Sequence, residues 1–202
     1  MTKFFRIVSA IFSPLVVPCY GIALALNVTA LRVIPFQAKI GVVTICAIII
    51  FIVPALAVMA LHRAGIITDV GLNSRKERTI PYCISIACYG VAAYYLYRLS
   101  GPGWLVGIMV GGMATILINM VVNFKWKISG HMAAMGGLMS IAIFLTVNHL
   151  AVVNMLWIVI VTILLSGLVG TARLALNRHT PLQVLAGTTN GFICVYLACA
   201  LL

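Results

Sequence analysis

The chain has 202 residues, of which 64% are hydrophobic and only 7% are charged. A soluble domain carries roughly 25% charged residues, so the composition excludes an ordinary soluble fold and indicates an integral membrane protein. The formal net charge is +11, with Asp69 and Glu77 as the only carboxylate side chains. This balance favours an anionic partner. Nucleic acid is disfavoured, because no soluble domain or basic helix lies outside the apolar stretches.

The first predicted element is an apolar stretch over residues 7–31, preceded by Lys3 and Arg6. A basic start followed by an apolar run faintly resembles a signal peptide. However, Pro14 and Pro18 interrupt the run, and no A-x-A cleavage site follows it. We therefore predict that this stretch is retained as a first membrane helix.

Six further apolar stretches are long enough to cross a bilayer, since about 20 helical residues span roughly 30 Å of hydrocarbon. Backbone polar groups must be paired within each segment in lipid, so these stretches are predicted to be helices. No linker or repeat divides them, and we expect an all-α polytopic bundle forming one integral membrane domain over residues 1–202. The seven predicted spans are 7–31, 39–61, 81–99, 103–124, 131–149, 151–172 and 182–202.

The gaps between spans alternate between the two sides of the membrane. The second, fourth and sixth gaps (62–80, 125–130 and 173–181) share one side, which we call the motif face. Short connections favour neighbouring helices, so these gaps are expected to converge on one pocket. The excess of Lys and Arg there would indicate a cytoplasmic orientation, but without the clustered residues each side has three such residues, so both orientations stay open. The clustered residues are Arg75, Lys76, Arg78, Lys125, Lys127, His131, Arg173, Arg178 and His179.

The second gap contains the basic run Arg75-Lys76-Glu77-Arg78, with Pro81 three residues beyond it. These cations are candidate ligands for an anion. An ordinary juxtamembrane cluster that meets acidic lipid headgroups would have the same composition.

The fourth gap ends in Ser129-Gly130-His131, immediately before an apolar span. Ser is a favoured N-cap, and Gly allows backbone N–H groups to approach a ligand closely. A helix N-terminus attracts phosphate oxygens, and His131 in the first turn would face them. The alternative is a capped helix with a surface histidine.

The sixth gap contains Arg173 at the end of one span and His179 just before Thr180-Pro181, a typical helix start. Arg donates two parallel hydrogen bonds to phosphate, and a neutral His can attack phosphorus. The alternative is a snorkelling Arg and a loop His.

These stretches resemble, in order, three motifs of the type 2 phosphatidic acid phosphatase superfamily, which includes vanadium haloperoxidases. Ser129-Gly130-His131 resembles its Pro-Ser-Gly-His motif, and Arg173-x5-His179 resembles Ser-Arg-x5-His-x3-Asp. Arg78-x-x-Pro81 resembles a loosened version of the family's first motif, Lys-x6-Arg-Pro. The resemblance covers about residues 70–190. It implies a six-helix phosphatase-like core, to which the stretch 7–31 adds an N-terminal helix.

The resemblance also implies residue roles. His179 would be the nucleophile that forms a phosphohistidine, and His131 would be the general acid. The implied phosphate ligands are Arg173, Arg78, Lys76 or Arg75, Ser129 and Gly130. No metal or other cofactor is implied, and the six cysteines lie in apolar runs without zinc-type spacing.

Several positions depart from the family motifs. Gln183 stands where the family has the Asp that orients the nucleophile, and a neutral amide stabilises an imidazolium less well. Ala172 and Ile128 replace the motif Ser and Pro. In the first motif, Gly71 replaces the Lys. Phosphate binding is therefore a firmer expectation than fast turnover.

The predicted function is a metal-independent lipid phosphatase that acts on a phosphomonoester or pyrophosphate reached from the bilayer. We expect it in a bacterial cytoplasmic (inner) membrane. A non-catalytic relative that binds or moves phospholipid headgroups is the alternative, favoured by Gln183. A small anion transporter is disfavoured, because the spans contain almost no ionisable residues.

Overall fold

The computed structural model describes residues 2–72 and 74–202. These residues form a helical bundle, and one isolated β-bridge joins Thr29 to Ala151. The predicted all-α membrane bundle is confirmed. The α-helices are α1 (Thr2–Ile11), α2 (Val17–Val28), α3 (Phe36–Ala47), α4 (Val53–Arg63), α5 (Thr79–Arg98), α6 (Gly103–Asn123), α7 (Gly130–Val147), α8 (Leu156–Ala175) and α9 (Pro181–Leu201).

Six helical segments in the described part of the chain are long and apolar enough to cross a membrane, and they correspond to the last six predicted spans. The first segment joins α3 to α4 through a π-helical turn, Ile48–Ile52. Pro54 follows that turn. It lacks a backbone N–H and its ring clashes with the preceding turn, which accounts for the local widening.

The N-terminal stretch differs from the prediction of one helix over residues 7–31. It forms α1 and α2, separated at residues 12–16, where Pro14 lies; Pro18 is the second residue of α2. Proline is tolerated in the first turn of a helix but not in its interior, so the chain ends one helix and begins another. α1 has 10 residues and spans only about 15 Å, which is too short to cross the bilayer.

α7 lies at the centre of the bundle and packs along α9, which also packs against α6. Glycines allow this close approach. A Cβ atom added at Gly191 would collide with the Ala133 carbonyl, and one at Gly136 would collide with the Thr188 carbonyl. Because α7 and α9 both begin at the motif face, their N-termini lie side by side there.

Candidate active site

A cavity of about 420 Å³ extends from the motif face into the bundle. Its polar end is lined by Arg78 before α5, Gly130 and His131 at the start of α7, Arg173 near the end of α8, and His179 before α9. The three basic gaps thus converge on one space. Nine residues were proposed for the site from the sequence, as nucleophile, general acid, phosphate ligands or the residue that orients the nucleophile. Five of these nine line the cavity.

His179 is held by Gln183 in the first turn of α9. Gln183 forms a capping box with Thr180, in which its Oε1 accepts the Thr180 backbone N–H at 3.3 Å. The same oxygen lies 3.1 Å from Nδ1 of His179. Because an amide oxygen only accepts, Nδ1 must carry the proton, and Nε2 is left with a free lone pair.

The environment of His179 favours the neutral imidazole. Burial lowers its pKa to about 4. The hydrogen bond to Gln183 opposes this, whereas the nearby cations Arg173, Lys127 and Arg78 lower the pKa further. A neutral His179 with a free Nε2 is the form that can act as a nucleophile.

His131 is held by an element outside its own motif. Its Nε2 lies 3.1 Å from the backbone carbonyl oxygen of Ser9 in α1. A carbonyl oxygen only accepts, so Nε2 donates and Nδ1 is the remaining ring nitrogen. Val8 and Ser9 form the buried face of α1, which packs against α8 and so delivers this carbonyl to the site.

The two cavity arginines differ in how they are held. Arg78 is buried; its Nε donates to the Leu72 carbonyl at 2.8 Å, and its Nη1 donates to the Ile128 carbonyl at 3.4 Å. Arg173 has a buried Nε that finds no hydrogen-bond partner within residues 2–72 and 74–202. Arg78 is therefore fixed by loop carbonyls, whereas Arg173 retains a donor for an anion.

Ser129 and Gly130 have different surroundings. Ser129 is fully buried and does not line the cavity. Its Oγ accepts the Met132 N–H at 3.4 Å, and its own backbone N–H donates to the Gln183 carbonyl at 3.3 Å. Gly130 does line the cavity, and a Cβ added there would meet no atom within 4 Å. Open space thus adjoins the N-terminus of α7, where helix dipoles favour an anion.

Arg75 and Lys76 are exposed and do not line the cavity. Arg75 donates to the Lys125 carbonyl, and its own carbonyl accepts Nδ2 of Asn123 at 2.7 Å. Arg75 therefore ties the segment before α5 to the end of α6. Of the three cations proposed in the second gap, Arg78 is the one that enters the cavity.

Sequence reasoning did not identify the Ser9 carbonyl, since a backbone acceptor 122 residues from His131 leaves no signal in a motif. Lys127 was counted on the motif face but was not proposed for the site. Burial and the guanidinium groups of Arg78, Arg178 and Arg173 lower the pKa of Lys127. The sequence offered one signal for Lys127: it lies in the same gap as the proposed phosphate ligands Ser129 and Gly130.

No group of three or more His, Cys, Asp or Glu side chains in the described part of the chain is arranged to hold a metal ion. Comparison with known proteins gives one family match: residues 122–202 match the model of the PAP2 superfamily. No curated protein and no solved structure matches the chain. The matched range contains His131, Arg173 and His179, whereas Arg78 lies before it.

Proposed function

We propose that the protein is a membrane phosphatase for lipid phosphates, because residues 122–202 match the model of the PAP2 superfamily. The substrate would be a phosphomonoester or pyrophosphate whose lipid part remains in the bilayer. Within residues 2–72 and 74–202, six helical segments are long and apolar enough to cross a membrane, which supports this proposal.

The observation that carries the proposal is the composition of the cavity described above. Its motif-face end contains two imidazoles and two guanidinium groups, from His131, His179, Arg78 and Arg173, whereas most of its remaining walls are hydrocarbon. Arg is suited to phosphate oxygens, and apolar walls are suited to a lipid chain. A site with both parts side by side is complementary to an amphiphilic phosphate.

In the first chemical step we propose, Nε2 of His179 attacks phosphorus and a P–N bond forms. The bond between phosphorus and the lipid oxygen breaks, and its electron pair goes to that oxygen. Nδ1 of His131 is the proposed proton donor to the departing oxygen. Arg78 and Arg173 donate to the phosphoryl oxygens and offset their charge.

In the second step, water attacks phosphorus and the P–N bond breaks, returning its electron pair to Nε2 of His179. His131, now neutral at Nδ1, takes the proton of the attacking water. Inorganic phosphate leaves, and both imidazoles return to their starting protonation states.

A non-catalytic protein that binds lipid phosphate headgroups is the second candidate. It is favoured by Gln183, whose neutral oxygen stabilises an imidazolium less well than a carboxylate would. This candidate predicts headgroup binding without release of phosphate.

The test is release of inorganic phosphate from lipid phosphates by purified protein in lipid nanodiscs. We expect His179→Asn to abolish release, since it removes the nucleophile while keeping a side-chain N–H that can reach Gln183. A transient ³²P-labelled enzyme with the acid lability of a phosphohistidine should disappear in the same variant.

The matched control is His149→Asn. His149 is exposed and adopts φ +54, a conformation that Asn tolerates. Activity should be unchanged in this control. If the wild type and His179→Asn release phosphate equally, the phosphatase proposal is wrong; if neither releases it but both bind lipid phosphate, the second candidate holds.

A further inference from the structure

We propose that the cavity holds one hydrocarbon chain of the lipid inside the bundle and that Ile108 limits how long a chain it accepts. This inference rests on the proposed function for its phosphate end. It adds a chain-binding site with a defined depth and capacity.

The depth of the cavity follows from the helix positions of its lining residues. Ile141 lines it eleven residues after the start of α7, which corresponds to about 16 Å of helix rise. Ile108 lines it fifteen residues before the end of α6 at the motif face, or about 22 Å. Since the hydrocarbon core is roughly 30 Å thick, the cavity reaches at least the middle of the bilayer.

Two polar groups along this path already have hydrogen-bond partners. The Thr115 hydroxyl donates to the Gly111 carbonyl at 2.8 Å, and Oδ1 of Asn119 accepts Nδ2 of Asn190 at 3.0 Å. The Thr115 hydroxyl proton and the Asn119 Oδ1 are therefore engaged within the bundle and not directed at an occupant. Deeper still, the cavity is lined by the buried residues Ile108, Ile141 and Val195. The chemistry of the inner cavity thus suits a hydrocarbon rather than a polar ligand.

The capacity of the cavity is about 420 Å³. At roughly 30 Å³ per water-sized group, it accommodates about fourteen such groups. This suffices for a phosphate and one chain, but not for the two chains of a diacyl lipid. Met59 lines the cavity and is also 42% exposed on α4, so a second chain can remain in the bilayer beside that helix.

The test uses single-chain alkyl phosphonates of increasing length and measures their affinity by titration calorimetry in nanodiscs, after subtraction of binding to protein-free nanodiscs. For wild-type protein we expect affinity, referred to the concentration of ligand free in water, to rise about fourfold per methylene until the chain reaches Ile108, and then to level off. Ile108→Phe should move this limit to shorter chains, and Ile108→Ala should move it to longer ones.

Ile118 provides the matched control, because it lies on the same helix but is 43% exposed to the outside. Ile118→Phe and Ile118→Ala should leave the limit unchanged. If Ile108→Phe does not fold, the shift in Ile108→Ala decides. An affinity that rises without limit, or a limit unmoved by either Ile108 variant, overturns the proposal. Since binding is measured and not turnover, a failure of the phosphatase proposal gives a different result.

Discussion

At the residue scale, the two histidines are made chemically unequal by the oxygen that each one faces. His179 directs Nδ1 to Oε1 of Gln183, and His131 directs Nε2 to the Ser9 carbonyl. Both acceptors are neutral, so they select a tautomer without supplying charge. Nε2 of His179 and Nδ1 of His131 are consequently the nitrogens left for chemistry.

Gln183→Asp tests how the neutral acceptor at position 183 affects the protonation and reactivity of His179. A carboxylate should raise the pKa of His179 above its present value of about 4, because it favours the imidazolium form. The imidazole would then become protonated at higher pH, as followed by ¹⁵N NMR of histidine-labelled protein. A hydrogen bond to a charged group is stronger than a neutral one by roughly 1 kcal/mol, so phosphate release should increase about fivefold to tenfold.

Gln183→Glu is the companion variant, since it retains the length of the glutamine side chain. It separates the effect of charge from that of geometry. An unchanged titration of His179 in both acidic variants would contradict the contact inferred between these side chains.

At the scale of elements, close packing of α7 on α9 aligns the two helix starts that carry His131 and Gln183. Gly187 packs against the Ser129 carbonyl, and the Ser129 N–H donates to the Gln183 carbonyl. The N-terminus of α7 therefore presents its positive dipole end to the cavity, and the packing places His179, just before α9, beside it. α1 also holds His131 in place, through the Ser9 carbonyl. The sequence predicted Ser9 to lie in a membrane span over residues 7–31.

Gly191→Ala tests this packing. The added methyl group would collide with the Ala133 backbone, which cannot move aside as a flexible side chain can. We expect a loss of about 1–3 kcal/mol in stability and a lower thermal midpoint in detergent. Phosphate release should fall as well, since the two helix starts would separate.

Gly167→Ala is the control for that experiment. Gly167 lies in α8 with no atom within 4 Å of an added Cβ, and alanine is the better helix former. Its thermal midpoint should stay the same or rise. Equal midpoints in the two variants would show that α7 and α9 do not pack as closely as described.

At the scale of the whole molecule, the six long helices bring basic loops to one side of the bundle. Arg63, Arg173 and Asn123 lie in the last turns of α4, α8 and α6, while α5, α7 and α9 begin at the same face. The desolvation of charge in hydrocarbon is costly, which keeps these cations at the membrane surface. The site therefore lies where a lipid headgroup would meet the protein.

Cysteine labelling with a membrane-impermeant maleimide tests this arrangement. Lys76→Cys, Lys125→Cys and Arg178→Cys should react from the same side of sealed vesicles. Arg32→Cys and Val153→Cys should react only from the other side. Protein with only its native cysteines gives the background, and reaction of positions 125 and 178 from opposite sides would contradict the topology.

Hydropathy and the alternation of gaps were sufficient to predict the six long spans and the side on which the basic residues gather. Both predictions depend on the free-energy cost of placing polar groups in hydrocarbon. This cost can be judged from the composition of each segment by itself. The Ser129-Gly130-His131 and Arg173-x5-His179 spacings were sufficient to suggest the family that residues 122–202 match.

Only the tertiary structure decided which side chains enter the cavity. Arg75, Lys76 and Arg78 are neighbours in sequence, but of these three only Arg78 lines it, because the turn before α5 directs the others outward. The Ser9 carbonyl reaches His131 through the packing of α1 on α8, and the depth of the cavity depends on how the helices are rotated against one another. These are contacts between distant segments, set by side-chain shape and helix packing rather than by local composition.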